Sequence, residues 1–210
     1  MHPPPELLLA VAGGEADLAH RVLVEAHAAG CAACREELSA LALPGGVLLR
    51  AVGERRPPAG LWDRLVASLP APADAAPSPF AGTPVPPAAG QELSELAELR
   101  WRRLPVRGAR IAPLWTDRAT GTTLLIGRMP GGRPFPRHRH PGGEDVVVLA
   151  GAYEDDAGLW ESGAYGVYPP GSEHRPLTRP PHECWILFRL PQPVEFTGWR
   201  GALQRTFAGG

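Results

Sequence analysis

The sequence predicts a multi-domain, α plus all-β protein. A small helical metal-binding domain over residues 1–69 is followed by a linker over 70–92 and a small β-barrel over 93–204. Three observations carry this. Apolar residues recur at helical spacing as far as Leu43 and again from Leu61. The stretch APADAAPSPFAGTPVPPAAGQ, residues 71–91, is Ala- and Pro-dominated, almost uncharged and without an apolar period, as an extended spacer should be. Beyond it, short apolar runs alternate with Gly/Pro turns, the signature of strands.

In the first part, Glu6 to Ala12 carries Leu7, Leu8, Leu9 and Val11, and Gly13-Gly14 should stop it. Glu15 to Ala29 places Leu18, Val22, Leu23 and Ala26 on one broad face and should end at Gly30. A third helix should begin at Cys31, run through Leu38 and Leu41, and break at Pro44-Gly45-Gly46. A fourth amphipathic segment, Leu61 to Leu69, holds Trp62, Leu65 and Val66.

His27, Cys31 and Cys34 form HxxxCxxC across the junction of the second and third helices. A histidine in the last turn of one helix and two cysteines in the first turn of the next can converge on a tetrahedral ion, and the helix amino terminus favours thiolates. His2 can fold back to supply a fourth ligand, pinning the first helix to the other two. A closed N/S site leaves no place for substrate, so zinc there would be structural. The competing reading is a redox pair, but thioredoxin-type CxxC motifs follow a strand of a βαβ unit, and no such unit is present. His20 reads as an ordinary surface or core-edge residue.

After a short helical stretch near Leu93 to Arg100, strands are expected at Ala109–Trp115, Thr122–Gly127, Glu144–Leu149, Gly163–Tyr168 and Cys184–Leu190. The barrel's centre is the stretch GRPFPRHRHPGGEDVVVLAG, residues 132–151. His138 and His140 stand two apart, so on an extended strand both imidazoles share a face. The turn Pro141-Gly142-Gly143 can bring the Glu144 carboxylate back towards them. Pro169-Pro170-Gly171 makes the turn that delivers His174. Three imidazoles and a carboxylate suit a divalent ion such as Zn, Fe, Mn or Ni. His182 and Cys184, two apart in HECWILFRL, are expected to share a face towards the interior with Ile186 and Phe188; a structural role is preferred for the thiol over a reactive one.

With 21 basic and 22 acidic side chains in 210 residues and no local Lys/Arg cluster, direct nucleic-acid binding is not expected. The longest apolar run, around Leu7 to Val11, is far too short for a membrane span and no export signal is legible, so a cytoplasmic location is expected. Three cysteines do not make a disulfide framework.

The second half resembles the cupin superfamily, a jelly-roll β-barrel fold with two motifs. Gly132, His138, His140, Glu144 and Gly151 match G(X)5HXH(X)3E(X)6G, and Gly163, Pro169, Gly171 and His174 match G(X)5PXG(X)2H; where relatives often have Asn at the end, this chain has Thr178. The first half, through His2, ELLLAVAGGEADLAHRVLVEAHAAGCAACREEL and HxxxCxxC, resembles the zinc-binding anti-sigma domain of bacterial ECF sigma regulators. Together the halves are similar to the ChrR family of anti-sigma factors. That resemblance implies a helical domain that inhibits an ECF (group IV) sigma factor. It also implies a cupin domain that senses oxidative stress such as singlet oxygen and promotes release, with no catalytic residues. The other function weighed is a metal-dependent cupin dioxygenase with a helical appendage and a small-molecule ligand in the barrel. An enzyme has no need of a separate metal-stapled bundle, whereas a sensor needs an output domain, so the regulator is preferred.

Overall fold

The computed structural model describes residues 1–54, 56–68, 99–104 and 106–197. The expected 70–92 linker lies outside them. So does most of the short helical stretch expected before the barrel, of which only Leu99 and Arg100 are described, neither of them helical.

Four helices come first: α1 (Pro5–Gly13), α2 (Leu18–Gly30), α3 (Ala32–Ala51) and α4 (Leu61–Ser68). Gly14 ends α1 in the left-handed conformation (φ 76), the role the Gly13-Gly14 pair predicted. Helix α2 starts later than the apolar period suggested, because the Asp17 carboxylate accepts from the His20 N–H at 2.7 Å and fixes Asp17 as the cap. Helix α3 does not break at Pro44-Gly45-Gly46 but continues through it. Proline removes one hydrogen bond, and this turn is exposed, so water can satisfy the carbonyl left over.

The strands are β1 (Arg102–Arg103), β2 (Arg110–Thr116), β3 (Thr123–Met129), β4 (His138–Arg139), β5 (Glu144–Ala150), β6 (Ala152–Asp155), β7 (Gly158–Glu161), β8 (Tyr165–Tyr168), β9 (Glu173–His174), β10 (Leu177–Thr178), β11 (Cys184–Leu190) and β12 (Glu195–Phe196). They form a six-stranded sheet ordered β1-β2-β3-β11-β5-β8 and two three-stranded sheets, β10-β6-β7 and β12-β4-β9. The five expected strands are β2, β3, β5, β8 and β11. The others are two to four residues long and carry no period; β8, equally short, is marked in the sequence by the glycine and proline turns that flank it.

Strand β5 explains why its sequence is a continuous apolar run. Val146 and Val148 point into the barrel among Leu125, Phe188 and Leu190. Val147 and Leu149 point out and join Leu124, Ile126, Tyr165 and Leu187 in one core with Leu8, Leu23 and Val24 of the helices. Both faces are therefore covered, which removes the usual apolar/polar alternation. Helix α2 lies against β5 and β11. The helical half and the barrel thus share one core across the long spacer. Full burial of each such aliphatic side chain contributes about 1.5–3 kcal/mol, enough to hold the halves together despite the long connection.

Candidate metal centres

Among the described residues, two groups of His and Cys side chains have their ligand atoms within 4.8 Å of one another: His2, His27, Cys31 and Cys34; and His138, His140 and His174.

The first group forms where the chain doubles back before α1. His2 Nδ1 lies 3.3 Å from His27 Nε2, 3.3 Å from Cys34 Sγ and 3.5 Å from Cys31 Sγ. A tetrahedral ion with ordinary Zn–N and Zn–S bonds has edges of roughly 3.3–3.8 Å, so the donor set and spacing fit. His27 Nδ1–H donates to the Gly163 carbonyl at 2.6 Å, which leaves Nε2 bare and aimed into the group. Burial is the main cause that lowers the His27 pKa, which keeps the ring neutral and able to ligate. The Cys34 thiol does not follow the helix-terminus expectation. Burial, reinforced by the Cys31 thiol, pushes Cys34 up to about 11, so a bound cation is needed to draw off its proton.

The second group sits inside the barrel. Strands β4 and β9 pair His138 directly with His174. His140 follows β4, held by its N–H donating to the Ser172 carbonyl at 2.9 Å and by its own carbonyl accepting from Gly171 N–H at 2.7 Å. His174 Nε2 stands 3.1 Å from both His140 Nε2 and His138 Nε2. The outer nitrogens decide what those inner ones are. His138 Nδ1–H donates to the Pro136 carbonyl at 2.9 Å and His174 Nδ1–H to Asp155 at 2.7 Å, so two bare lone pairs face each other. Such a convergence is repulsive without a cation between the nitrogens, and the residues fit one. Burial, followed by the neighbouring imidazoles, holds His138 down at about 4 and His140 at about 3, so both are neutral at pH 7.

Glu144 stands beside this triad, its carboxylate 3.5 Å from His140 Nε2. The turn that sets it uses Gly143 (φ 82), where a Cβ would press on the Tyr168 carbonyl. At the far end of β5, Gly151 (φ 75) lets the chain pass so close to Glu183 that any side chain would overlap its carbonyl oxygen. Next to the triad lies a cavity of about 210 Å³ with a largely apolar lining that includes Phe135, Ile186 and Phe188. Cys184 lines it as expected, buried, its thiol pushed up to about 12 by that burial, which suits a structural role. His182 does not share its face: it precedes β11 in a bend and is exposed.

A family model described as "ChrR Cupin-like domain" matches residues 89–193. The chain is 31% identical over 216 residues to Anti-sigma-E factor ChrR of Cereibacter sphaeroides, covering 98% of this chain and 96% of that one. The chain belongs to the ChrR family of anti-sigma factors. Its fold matches the crystal structure of Rhodobacter sphaeroides SigE in complex with the anti-sigma ChrR, with a TM-score of 0.63 and 29% identity over 90% of this chain and 97% of that chain. No helix among the described residues is long and apolar enough to cross a membrane.

One residue of this family member's barrel site escaped sequence reasoning. Asp155 accepts from His174 Nδ1–H at 2.7 Å, from Tyr168 O–H at 2.6 Å and from Trp160 Nε1–H at 3.0 Å. Burial by itself would raise its pKa, but these bonds outweigh it and hold the carboxyl below the ordinary range. The available signal was alternation: Tyr153 and Asp155 share a strand face, and an acid on a face that buries tyrosine needs partners. Carboxylates placed behind a ligating histidine typically change metal affinity by about 10–100-fold. Asp155→Asn should weaken barrel metal binding by that factor in a competition titration, without altering binding at the Cys-containing group.

Proposed function

We propose that this chain inhibits an ECF sigma factor through its helical half and releases it in response to an oxidative signal received by the barrel. The observation that carries the inhibitory half of this reading is a set of apolar side chains left uncovered among the described residues. The second half of α3 and all of α4 leave Leu43, Val47, Leu48, Leu49, Val52, Trp62, Leu65 and Val66 exposed, and α4 buries none of its residues. Exposed apolar side chains gathered on two helices in this way are what a protein partner would cover. The ChrR relative is known as an anti-sigma-E factor, and the matching crystal structure holds its anti-sigma chain on a sigma factor, which supports the same class of partner here.

In this reading His2, His27, Cys31 and Cys34 hold a structural zinc. His138, His140, Glu144 and His174 hold a second divalent ion, Zn or alternatively Fe, Mn or Ni. When bound, the barrel ion supplies a Lewis-acidic centre open to the adjacent cavity. The chain's own residues do the rest: the Pro136 carbonyl and Asp155 fix the tautomers of His138 and His174, and the largely apolar walls suit a small apolar molecule.

Glu144 gives a pH-dependent check on the ligand set. Burial, then the charges of Asp145 and Asp155, push its carboxyl up to about 8, so at pH 7 the metal-free site holds it mostly protonated. A ligating carboxylate must lose that proton. Loading the barrel at pH 7 should therefore release close to one proton more from the wild type than from Glu144→Gln, read by calorimetry in buffers of differing ionisation enthalpy.

The functional test is transcription by a cognate sigma factor in vitro and in cells exposed to singlet oxygen. The full chain should inhibit, and His138→Ala or His174→Ala variants should inhibit but fail to release. Steady turnover of a small organic substrate by the metal-loaded protein, with release unaffected by those changes, would instead favour the dioxygenase.

A further inference from the structure

The helical metal group is completed by the barrel. His27 is the most buried of its histidines, and its outer nitrogen bonds not to its own domain but to the carbonyl of Gly163, the residue at which the second barrel motif begins. The His27 ring also packs edge-on against Tyr165, with centroids 6.0 Å apart. Next to His2, the Met1 carbonyl accepts from the Tyr165 N–H at 3.3 Å and so covers the open edge of β8.

A charged clasp closes the other side of the same interface. Arg189 on β11 reaches Asp17, the cap of α2, at 3.0 Å and Asp145 on β5 at 3.6 Å. His20 bridges the same two carboxylates at 3.2 Å and 3.3 Å. That placement accounts for a histidine that sequence reading left without a task.

We propose that the Gly163 carbonyl is the positioning group for His27, so that metal binding at His2, His27, Cys31 and Cys34 and docking of the barrel on the helices form one coupled equilibrium. The proposal rests on the reading of those four residues as ligands. A hydrogen bond behind a ligating imidazole fixes its tautomer and its aim. Undocking would free the His27 ring to turn and to carry its proton on the nitrogen that must bind metal. Coupling is reciprocal: whatever factor docking contributes to metal affinity, metal contributes to docking. The strand that begins just after Gly163 also carries Tyr168, which stacks on His140 and bonds to Asp155, so the same segment touches both metal groups.

The test uses the full chain and cobalt(II), whose thiolate charge-transfer absorption reports the cysteine-containing group alone. Arg189→Glu places a third negative charge against Asp17 and Asp145 and should undock the barrel. Asp17→Asn keeps the helix cap but loses the charge and should act in the same direction to a smaller extent. Cobalt affinity at the thiolate band should fall about tenfold in Arg189→Glu and measurably in Asp17→Asn. In the wild type, stripping the metal should speed hydrogen exchange at the Tyr165 amide by a comparable factor. Unchanged cobalt affinity in a variant whose Tyr165 amide exchanges rapidly would overturn the coupling while leaving the ligand assignment intact. Absence of the thiolate band in the wild type would remove the assignment itself, and inhibition of the sigma factor is read separately from both.

Discussion

Replacing Cys31 and Cys34 together with Ser is expected to unfold the helical half and abolish inhibition of the sigma factor. The His2, His27, Cys31, Cys34 group ties the segment before α1 to the end of α2 and the start of α3. Among the described residues the buried apolar side chains of these helices are few: Leu8, Ala19, Leu23, Val24 and Ala28. Structural zinc contributes about 10–16 kcal/mol in finger peptides at pH 7. A whole domain has a net stability of only about 5–15 kcal/mol. Loss of the ion therefore exceeds what so small a core can absorb. Helical circular dichroism should fall, and metal analysis should show one ion fewer than the wild type. The barrel should also suffer, because Ala112, Leu124, Ile126 and Val147 on its outer face lose their cover, and its unfolding midpoint should drop. A double variant that kept its helical signal and still inhibited transcription would contradict the assignment of a structural metal.

Truncating the exposed apolar surface should have the opposite signature. Trp62 is 75% exposed and Leu65 50%, on a helix none of whose side chains is buried among the described residues. Trp62→Ala and Leu65→Ala remove no internal packing and introduce the best helix former, so the unfolding midpoint should stay within the small range ordinary for surface changes. Interface anchors of this kind cost about 2 kcal/mol or more when truncated, roughly 30-fold in affinity. Sigma binding by the double variant, measured by calorimetry or pull-down, should fall by at least that factor while both metal groups remain loaded. Binding unchanged by these substitutions would place the sigma surface elsewhere on the helices.

Residue identity alone named the candidate donor sets of both centres. HxxxCxxC, His2, and the spaced His138, His140, Glu144 and His174 are sets in which residue type limits what can be bound, and turn glycines such as Gly143 announce where the chain must reverse. Helix α1 and the four seven-residue strands were legible for a related reason: each is long enough to show its own period or its own stop signal, while β8 was announced by Gly163 before it and Pro169-Pro170-Gly171 after it. Three matters were settled only by tertiary structure. Helix α3 runs through Pro44 because the turn is open to water, which local sequence does not report. Asp155 became part of the barrel site because β6 pairs with β10, the strand that closely follows His174, a contact between residues 19 apart on different strands. The two halves share a core and His27 bonds to Gly163 although 136 positions separate them. Periodicity records which faces are apolar; it carries no information on which apolar face of one element meets that of another, and that pairing is fixed only when the whole chain packs.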